Sequence, residues 1–235
     1  MDNYSKLCYT PIVYQFTGKD VTPTLTLIAG THGNEPAGSV FLSKFIQTPP
    51  SFDGRLVVIP TVNQCGLWLN TREVPVADGS DWDLNRQYPY NGQKANPKNM
   101  ILRYLHLINA SELVVDFHEG WGYHTINTQS KGSGIYSNGF GQSHSIAAQM
   151  IKQVNHNIVN KDHYFVTETL KAVPGSLRFY CTERKIPYIL VETSGKNDVE
   201  PLKTRLMKLG VIVQTLLSQF KVPMYKTHTR LKKSI

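Results

Sequence analysis

Cysteine is scarce in this sequence, and its three instances stand far apart. Cys8, Cys65 and Cys181 are odd in number and irregular in spacing. That pattern argues against a disulfide framework and supplies no CxxC pair for a metal, so all three are expected as reduced thiols. Long apolar runs are missing as well: no stretch approaches the roughly 18 residues a membrane span needs. The opening segment, MDNYSKLCYTPIVYQF, lacks the basic-then-apolar order of a signal peptide. A soluble, cytoplasmic protein with no membrane partner is the expectation. Internal repeats, low-complexity tracts and the signatures of RRM, zinc-finger or helix-turn-helix modules are absent, so a nucleic-acid partner is not expected. Acidic residues are missing from the last eleven positions, YKTHTRLKKSI, which hold four of the 25 lysines and arginines and hence half of the net charge of +8. This reads as a solvated basic tail from about residue 225.

What is present is the composition of a globular core. With 40% hydrophobic and 18% charged residues, a chain of 235 residues is expected to form one domain, 1–235. Short runs rich in Val, Ile, Leu and Thr recur at 24–30, 55–62, 112–118 and 186–193, bounded by Gly, Pro or Asn, as buried strands are. Helical patterns lie between them at 36–46, 98–109, 143–158, 174–185 and 201–218. Three open on Pro36, Pro174 and Pro201, and proline suits a first helical turn because its missing N–H is one that would go unpaired there. The alternation predicts an α/β fold with a mixed, mostly parallel central sheet covered by helices on both faces. Two segments break the alternation, 70–98 and 127–142, and both read as long functional loops.

On that frame the ionisable residues gather at strand ends. His32 and Glu35 follow the first run in THGNEPAG, His118 and Glu119 end VVDFHEG, and Glu192 ends YILVET. Ligands of open α/β sheets collect at the carboxyl ends of strands, so these groups can converge. Two histidines and a carboxylate suffice for a catalytic zinc with a fourth position open. HxxE by itself also suits an exposed turn, and the motif gains weight only from the second strand-end histidine. Polar loops add Arg72, Asn85 and Arg86, where an arginine fork with an adjacent asparagine can grip a carboxylate bidentately.

Taken in order, GTHGNEPAG, VNxxG running to Arg72, DLNRQYP, VVDFHEG and LVETSG resemble the zinc carboxypeptidase superfamily. The Gly-Asn-Glu wording of the first motif is most similar to its succinylglutamate desuccinylase/aspartoacylase branch. The resemblance spans roughly residues 24–195. It implies a zinc-carboxypeptidase-like (phosphorylase/hydrolase-like) sheet sandwiched by helices and one Zn2+ per chain. It also implies roles: His32, Glu35 and His118 as metal ligands, Asn85 and Arg86 as binders of the substrate's free carboxylate, Arg72 as polariser of the scissile carbonyl, and Glu192 as general base.

The base assignment has independent support. Glu119 directly follows a ligand on a strand, where successive side chains point to opposite faces, so it should aim away from the metal. Asp116, two before His118 and on its face, can either bond an imidazole or be satisfied by neighbouring backbone. Tyr123, Tyr164 and Tyr180 are candidates for a tyrosine that covers the substrate, with packing the ordinary alternative for each. Trp121 and His124 are expected at the pocket, whereas His106, His144, His156, His163 and His228 have no motif context. About forty residues follow Glu192 in this sequence, so the extra C-terminal domain of aspartoacylase-type enzymes is not expected. The expected function is zinc-dependent hydrolysis of an amide bond in a small N-acyl amino acid or in a short peptide with a free carboxylate. Metallocarboxypeptidase or murein-peptide amidase activity is the alternative, and a non-catalytic carboxylate-binding module a further one. Oligomeric state is left open.

Overall fold

Among the described residues the strands are β1 (Val13–Thr17), β2 (Thr24–Ala29), β3 (Arg55–Ile59), β4 (Val74–Pro75), β5 (Asp81–Trp82), β6 (Leu113–Gly120), β7 (Gly134–Ser137), β8 (Tyr188–Ser194) and β9 (Lys232–Ser234). The structure is a computed structural model and describes residues 10–75, 81–90, 100–220 and 232–234. Seven strands make one sheet in the order β7-β8-β6-β2-β3-β1-β9, while β4 and β5 form a small separate ribbon. The inner four, β8, β6, β2 and β3, run parallel, and β7, β1 and β9 pair antiparallel at the flanks. Every residue of β2 and β6 is buried, as parallel strands covered on both faces must be. This is the mixed, mostly parallel α/β sheet that the alternation of runs predicts.

The helices are α1 (Pro36–Phe45), α2 (Gln64–Leu69), α3 (Leu105–Asn109), α4 (Ser143–His156), α5 (Leu177–Glu183) and α6 (Leu202–Ser218). Apolar side chains of α1, α4 and α6 pack with Leu25, Leu27, Val115, Phe117 and Val191 on one face of the sheet. Those of α3 and α5 pack with Ile28, Val57, Val114 and Tyr188 on the other. The two lists alternate along each strand, so the period of two decides which side each residue serves. No helix among the described residues is long and apolar enough to cross a membrane.

Several expectations are corrected. The loop expected over 127–142 contains β7, a four-residue edge strand whose Gly- and Ser-rich flanks conceal it and whose partner β8 lies some fifty residues away. The helix expected over 98–109 is a 3-10 turn, Met100–Arg103, followed by α3. Pro174 and Pro201 stand outside their helices: Ser176 caps α5 by accepting from the Phe179 N–H, and Pro201 is itself the residue before α6. Cys65 is disulfide-bonded, so the expectation of three reduced thiols fails there, because sequence spacing is blind to approach in space. Cys181 is a free, buried thiol. The basic tail falls mostly outside the described residues, except that Lys232–Ser234 pairs with β1 instead of lying free.

Candidate active site

Three neighbouring strands, β8, β6 and β2, deliver the site from their carboxyl ends. The turn after β2 starts at Gly30, whose φ of +65 only glycine adopts without strain. Gly33 then passes so close to α2 that a Cβ there would sit 1.9 Å from the carbonyl carbon of Gly66. Asn63 fixes this junction. Its Oδ1 caps α2 by accepting from the Gly66 N–H (2.8 Å), and its Nδ2 donates to the Arg72 carbonyl (3.3 Å), which also accepts from the Gly33 N–H (3.3 Å). The VNxxG motif thereby ties the His32 turn to the loop that carries Arg72.

His32, Glu35 and His118 come together as a fully buried cluster able to hold a metal ion, with ligand atoms within 4.8 Å of one another. Glu35 bridges the two imidazoles, Oε1 to His32 Nδ1 and Oε2 to His118 Nδ1, each at 2.8 Å. The two Nδ1 atoms are themselves 3.1 Å apart. On the far sides, His32 Nε2 meets Asp83 Oδ1 and His118 Nε2 meets Asp116 Oδ2, both at 3.1 Å. A carboxylate behind each ring fixes the proton on Nε2 and turns the Nδ1 lone pairs inward. Three acceptors aimed at one point repel unless a cation or protons lie between them, and that is the chemistry of a metal site. Asp116 thus takes the imidazole-bonding option, and it also accepts from the Tyr188 hydroxyl (2.9 Å).

The electrostatics agree. Burial works to raise Glu35, but His32 and His118 outweigh it and hold the carboxylate well below its usual range. Burial likewise works to lower His118, and Asp116 and Glu35 override it, so without metal its imidazole stays protonated well above the ordinary value. A metal must displace that proton. Titrating the metal-free protein with Zn2+ at pH 7 is expected to release about one proton from His118, read by calorimetry in buffers of different ionisation enthalpy, with affinity rising with pH. Buffer-independent heat would remove His118 from the ligand set.

The remaining expected residues border the same cavity, of about 350 Å³: Arg72, Asn85, Arg86 and Glu192 together with the three cluster residues. Glu192 stands beside His118 in the β6–β8 register and on the same face. Burial pushes its carboxyl up to about 8, aided by Glu35 and Asp116 and opposed by His118 and Arg72. Arg72 donates to Glu35 Oε1 (3.1 Å) and Asp83 Oδ2 (3.3 Å). Asn85 Oδ1 accepts from the Leu177 N–H (3.1 Å), which leaves its amide NH₂ to donate elsewhere, and Arg86 is exposed beside it. Glu119 turns to the opposite face, as alternation requires. It accepts from Ala37 N–H (2.5 Å) and pairs with Arg205.

The tyrosines take the packing reading, the histidines without motif context are surface or structural where described, and one expectation, His124 at the pocket, does not hold. Among the described residues Tyr123, Tyr164 and Tyr180 do not line this cavity; Tyr123 bonds Glu200 and Tyr180 bonds Asn109, so both are packing residues. Trp121 lines it, whereas His124 is held outside by the Ser130 carbonyl. His106, His144 and His156 are exposed, His163 stacks on Tyr123, and His228 lies outside the described residues. Two residues were missed. Asp83 sits in the very motif that supplied Asn85 and Arg86, but its partner His32 is 51 positions away. Arg178 borders the cavity from α5, and no motif marks it.

Residues 21–159 match the succinylglutamate desuccinylase/aspartoacylase catalytic domain. That is over half of the chain, and the protein belongs to this family, within the carboxypeptidase-like fold that its motifs imply. No curated protein matches the sequence. Among solved structures, tripeptide-bound Csd4 from Helicobacter pylori is similar at 20% identity with a TM-score of 0.75, covering 95% of this chain and 56% of that one. The mDAP-bound form of Helicobacter pylori Csd4, a D,L-carboxypeptidase, gives 19% identity, a TM-score of 0.74, and coverage of 94% and 55%. The product-bound ectoine utilization protein EutE from Ruegeria pomeroyi gives 19%, 0.57, and coverage of 93% and 63%. The chain thus spans just over half the length of the Csd4 chains, and at these identities the likeness is one of fold.

Proposed function

We propose that the protein is a zinc-dependent hydrolase that cleaves the amide bond of an N-acyl amino acid beside the free carboxylate. The observation that carries this reading is one cavity bordered by a buried two-histidine, one-glutamate cluster, a carboxylate on the adjoining strand and a group of cations. The donor set fits zinc: two imidazole nitrogens and a carboxylate, each imidazole backed by a second carboxylate. Bound by His32, Glu35 and His118, zinc would supply Lewis acidity and lower the pKa of a water toward about 7.

The chain's own residues divide the remaining work. Asn85 and Arg86 grip the substrate carboxylate and so fix which amide reaches the cluster. Arg72, steadied by Glu35 and Asp83, donates to the carbonyl oxygen as negative charge builds on it. Glu192 takes the proton of the attacking water at its carboxylate and returns it to the leaving nitrogen. Burial raises the proton affinity of this carboxyl, which suits a group that must hold the proton until it passes to the leaving nitrogen.

Carboxypeptidase-type release of a C-terminal residue, from a peptide or a murein stem, is the second reading, favoured by the Csd4 likeness over nearly the whole chain. A purely carboxylate-binding module would need no base or metal ligands, and the presence of Glu192 and the His32–Glu35–His118 cluster at one cavity supports the hydrolase reading over it. The test is a mass-spectrometric time course of zinc-loaded protein with N-acyl aspartates and glutamates, free and amidated peptides, and muropeptides, each with a chelated control. Chelator-sensitive loss of an acyl group from a single amino acid supports the deacylase; release of a C-terminal residue alone overturns it for the second reading. Amidating the substrate carboxylate is expected to remove most of kcat/KM in the wild type and far less in Arg86→Ala. Equal penalties would mean that the carboxylate is gripped elsewhere.

A further inference from the structure

Arg205 of α6 is 4% exposed and uses only one of its three nitrogens. Nη1 pairs with Glu119 at the end of β6. The Nε–H is buried and has no partner, and Nη2 makes no hydrogen bond among the described residues. Those two nitrogens share one edge of the planar guanidinium, the edge that grips an oxyanion side-on. Gly195 closes off the Nη1 side, where a Cβ would lie 2.1 Å from Nη1 and 1.4 Å from Glu119 Oε2. Glu119 has nothing further to offer, since its other oxygen accepts from the Ala37 N–H. A buried donor left without an acceptor is costly, and here the cost falls on the edge best shaped for an anion.

Arg205 borders a second cavity, of about 270 Å³, together with Asn34, Asn70, Gly195, Lys196 and Asp198. Of these residues only Lys196 also borders the active-site cavity. Lys196 is in no ion pair among the described residues. Asn34 Oδ1 is buried without a partner, and among the described residues neither end of the Asn34 amide makes a hydrogen bond, so it is free to turn its NH₂ toward a ligand. Asn70, in the left-handed conformation that ends α2, adds a second unengaged amide. Asp198 is the acid of the lining, and it is exposed to water, which screens it. Donors from four side chains therefore meet at one cavity, more than the two oxygens of a carboxylate can use.

We infer that this cavity binds a phosphate group, as the free ion or as a small phosphate ester, with the Nε and Nη2 edge of Arg205 on two oxygens and Lys196, Asn34 and Asn70 on the others. The site is separate from the amide-hydrolase reading and needs no turnover to be detected. It lies close behind the His32–Glu35–His118 cluster. Asn34 stands between His32 and Glu35 in the chain, and the Glu119 N–H donates to Glu35 Oε2 (3.1 Å). A phosphate on Arg205 is thus joined to the cluster through Glu119.

The experiment titrates inorganic phosphate, glycerol phosphate and acetate into the zinc-loaded protein by calorimetry, with a chelated control. One phosphate per chain is expected, bound at least about tenfold more tightly than acetate, which offers fewer acceptors and less charge. Arg205→Lys keeps a cation for Glu119 but loses the second edge, and is expected to weaken phosphate by about tenfold or more. Asn70→Gly keeps the left-handed backbone at φ +54 and removes one amide donor, for an expected loss of about threefold. Arg86→Ala is expected to change the affinity by less than about twofold, because Arg86 borders only the other cavity. Should Arg205→Lys not fold, Asn70→Gly carries the test. Whichever phosphate binds more tightly names the source, free ion or ester, and either sustains the inference when its affinity falls in these two variants. Three results overturn it: no saturable binding of either phosphate, binding that vanishes on chelation or in Arg86→Ala, and affinity unchanged by Arg205→Lys and Asn70→Gly. Acetate bound as tightly as phosphate also overturns it, because the site would then read a carboxylate.

Discussion

Glu192→Gln is expected to bind zinc at close to one ion per chain and to lose at least about a hundredfold in kcat, the lower range for removal of a general base. The two halves of that result have different structural origins. The His32–Glu35–His118 cluster draws on the turn after β2 and on β6, whereas Glu192 comes from β8 and makes no hydrogen bond to either imidazole. Glutamine preserves the shape and removes only the proton acceptor. Metal content by atomic spectroscopy and single-turnover rates on the same sample check both halves. Wild-type turnover with intact metal would pass the role of base to another residue; loss of metal together with turnover would make Glu192 a support of the cluster instead.

Glu119→Ala is expected to act through stability. Glu119 and Arg205 are a buried pair, their side chains 1% and 4% exposed, closed over by Gly195. Burial pushes the Glu119 carboxyl upward against the pull of the Ala37 N–H and Arg205, so the pair is sustained by specific contacts. Removing the acid leaves a guanidinium unpaired in the interior, a change that costs about 3–5 kcal/mol. In a domain of this size that lowers Tm by roughly 6–20 °C. The double variant Glu119→Ala/Arg205→Met should recover much of the loss, because it removes the stranded charge as well. Thermal denaturation of the metal-free proteins measures it. A variant that melts like the wild type but is inactive would place Glu119 in the chemistry and contradict the strand alternation on which its assignment depends.

That alternation shows how far local pattern reaches. VVDFHEG by itself puts His118 and Asp116 on one face and Glu119 on the other, because a strand leaves a side chain no third choice. The four inner strands and helices α1, α4 and α6 were legible for the same kind of reason: long, regular apolar periods carry their own evidence. Short or irregular pieces were not. β7 is four residues long, and β1 belongs to the sheet only by virtue of pairing with β3.

Sequence alone settled which residue types are available at the carboxyl ends of β2, β6 and β8, and which side of a strand each would face. Tertiary structure alone decided who meets whom. It set Asp83 behind His32 and Asp116 behind His118, drew Cys65 into a disulfide, and brought Arg178 to the wall of the cavity. Side-chain direction follows from the chain's local geometry, whereas contact between residues fifty or more positions apart follows from strand order and packing, which no local spacing encodes.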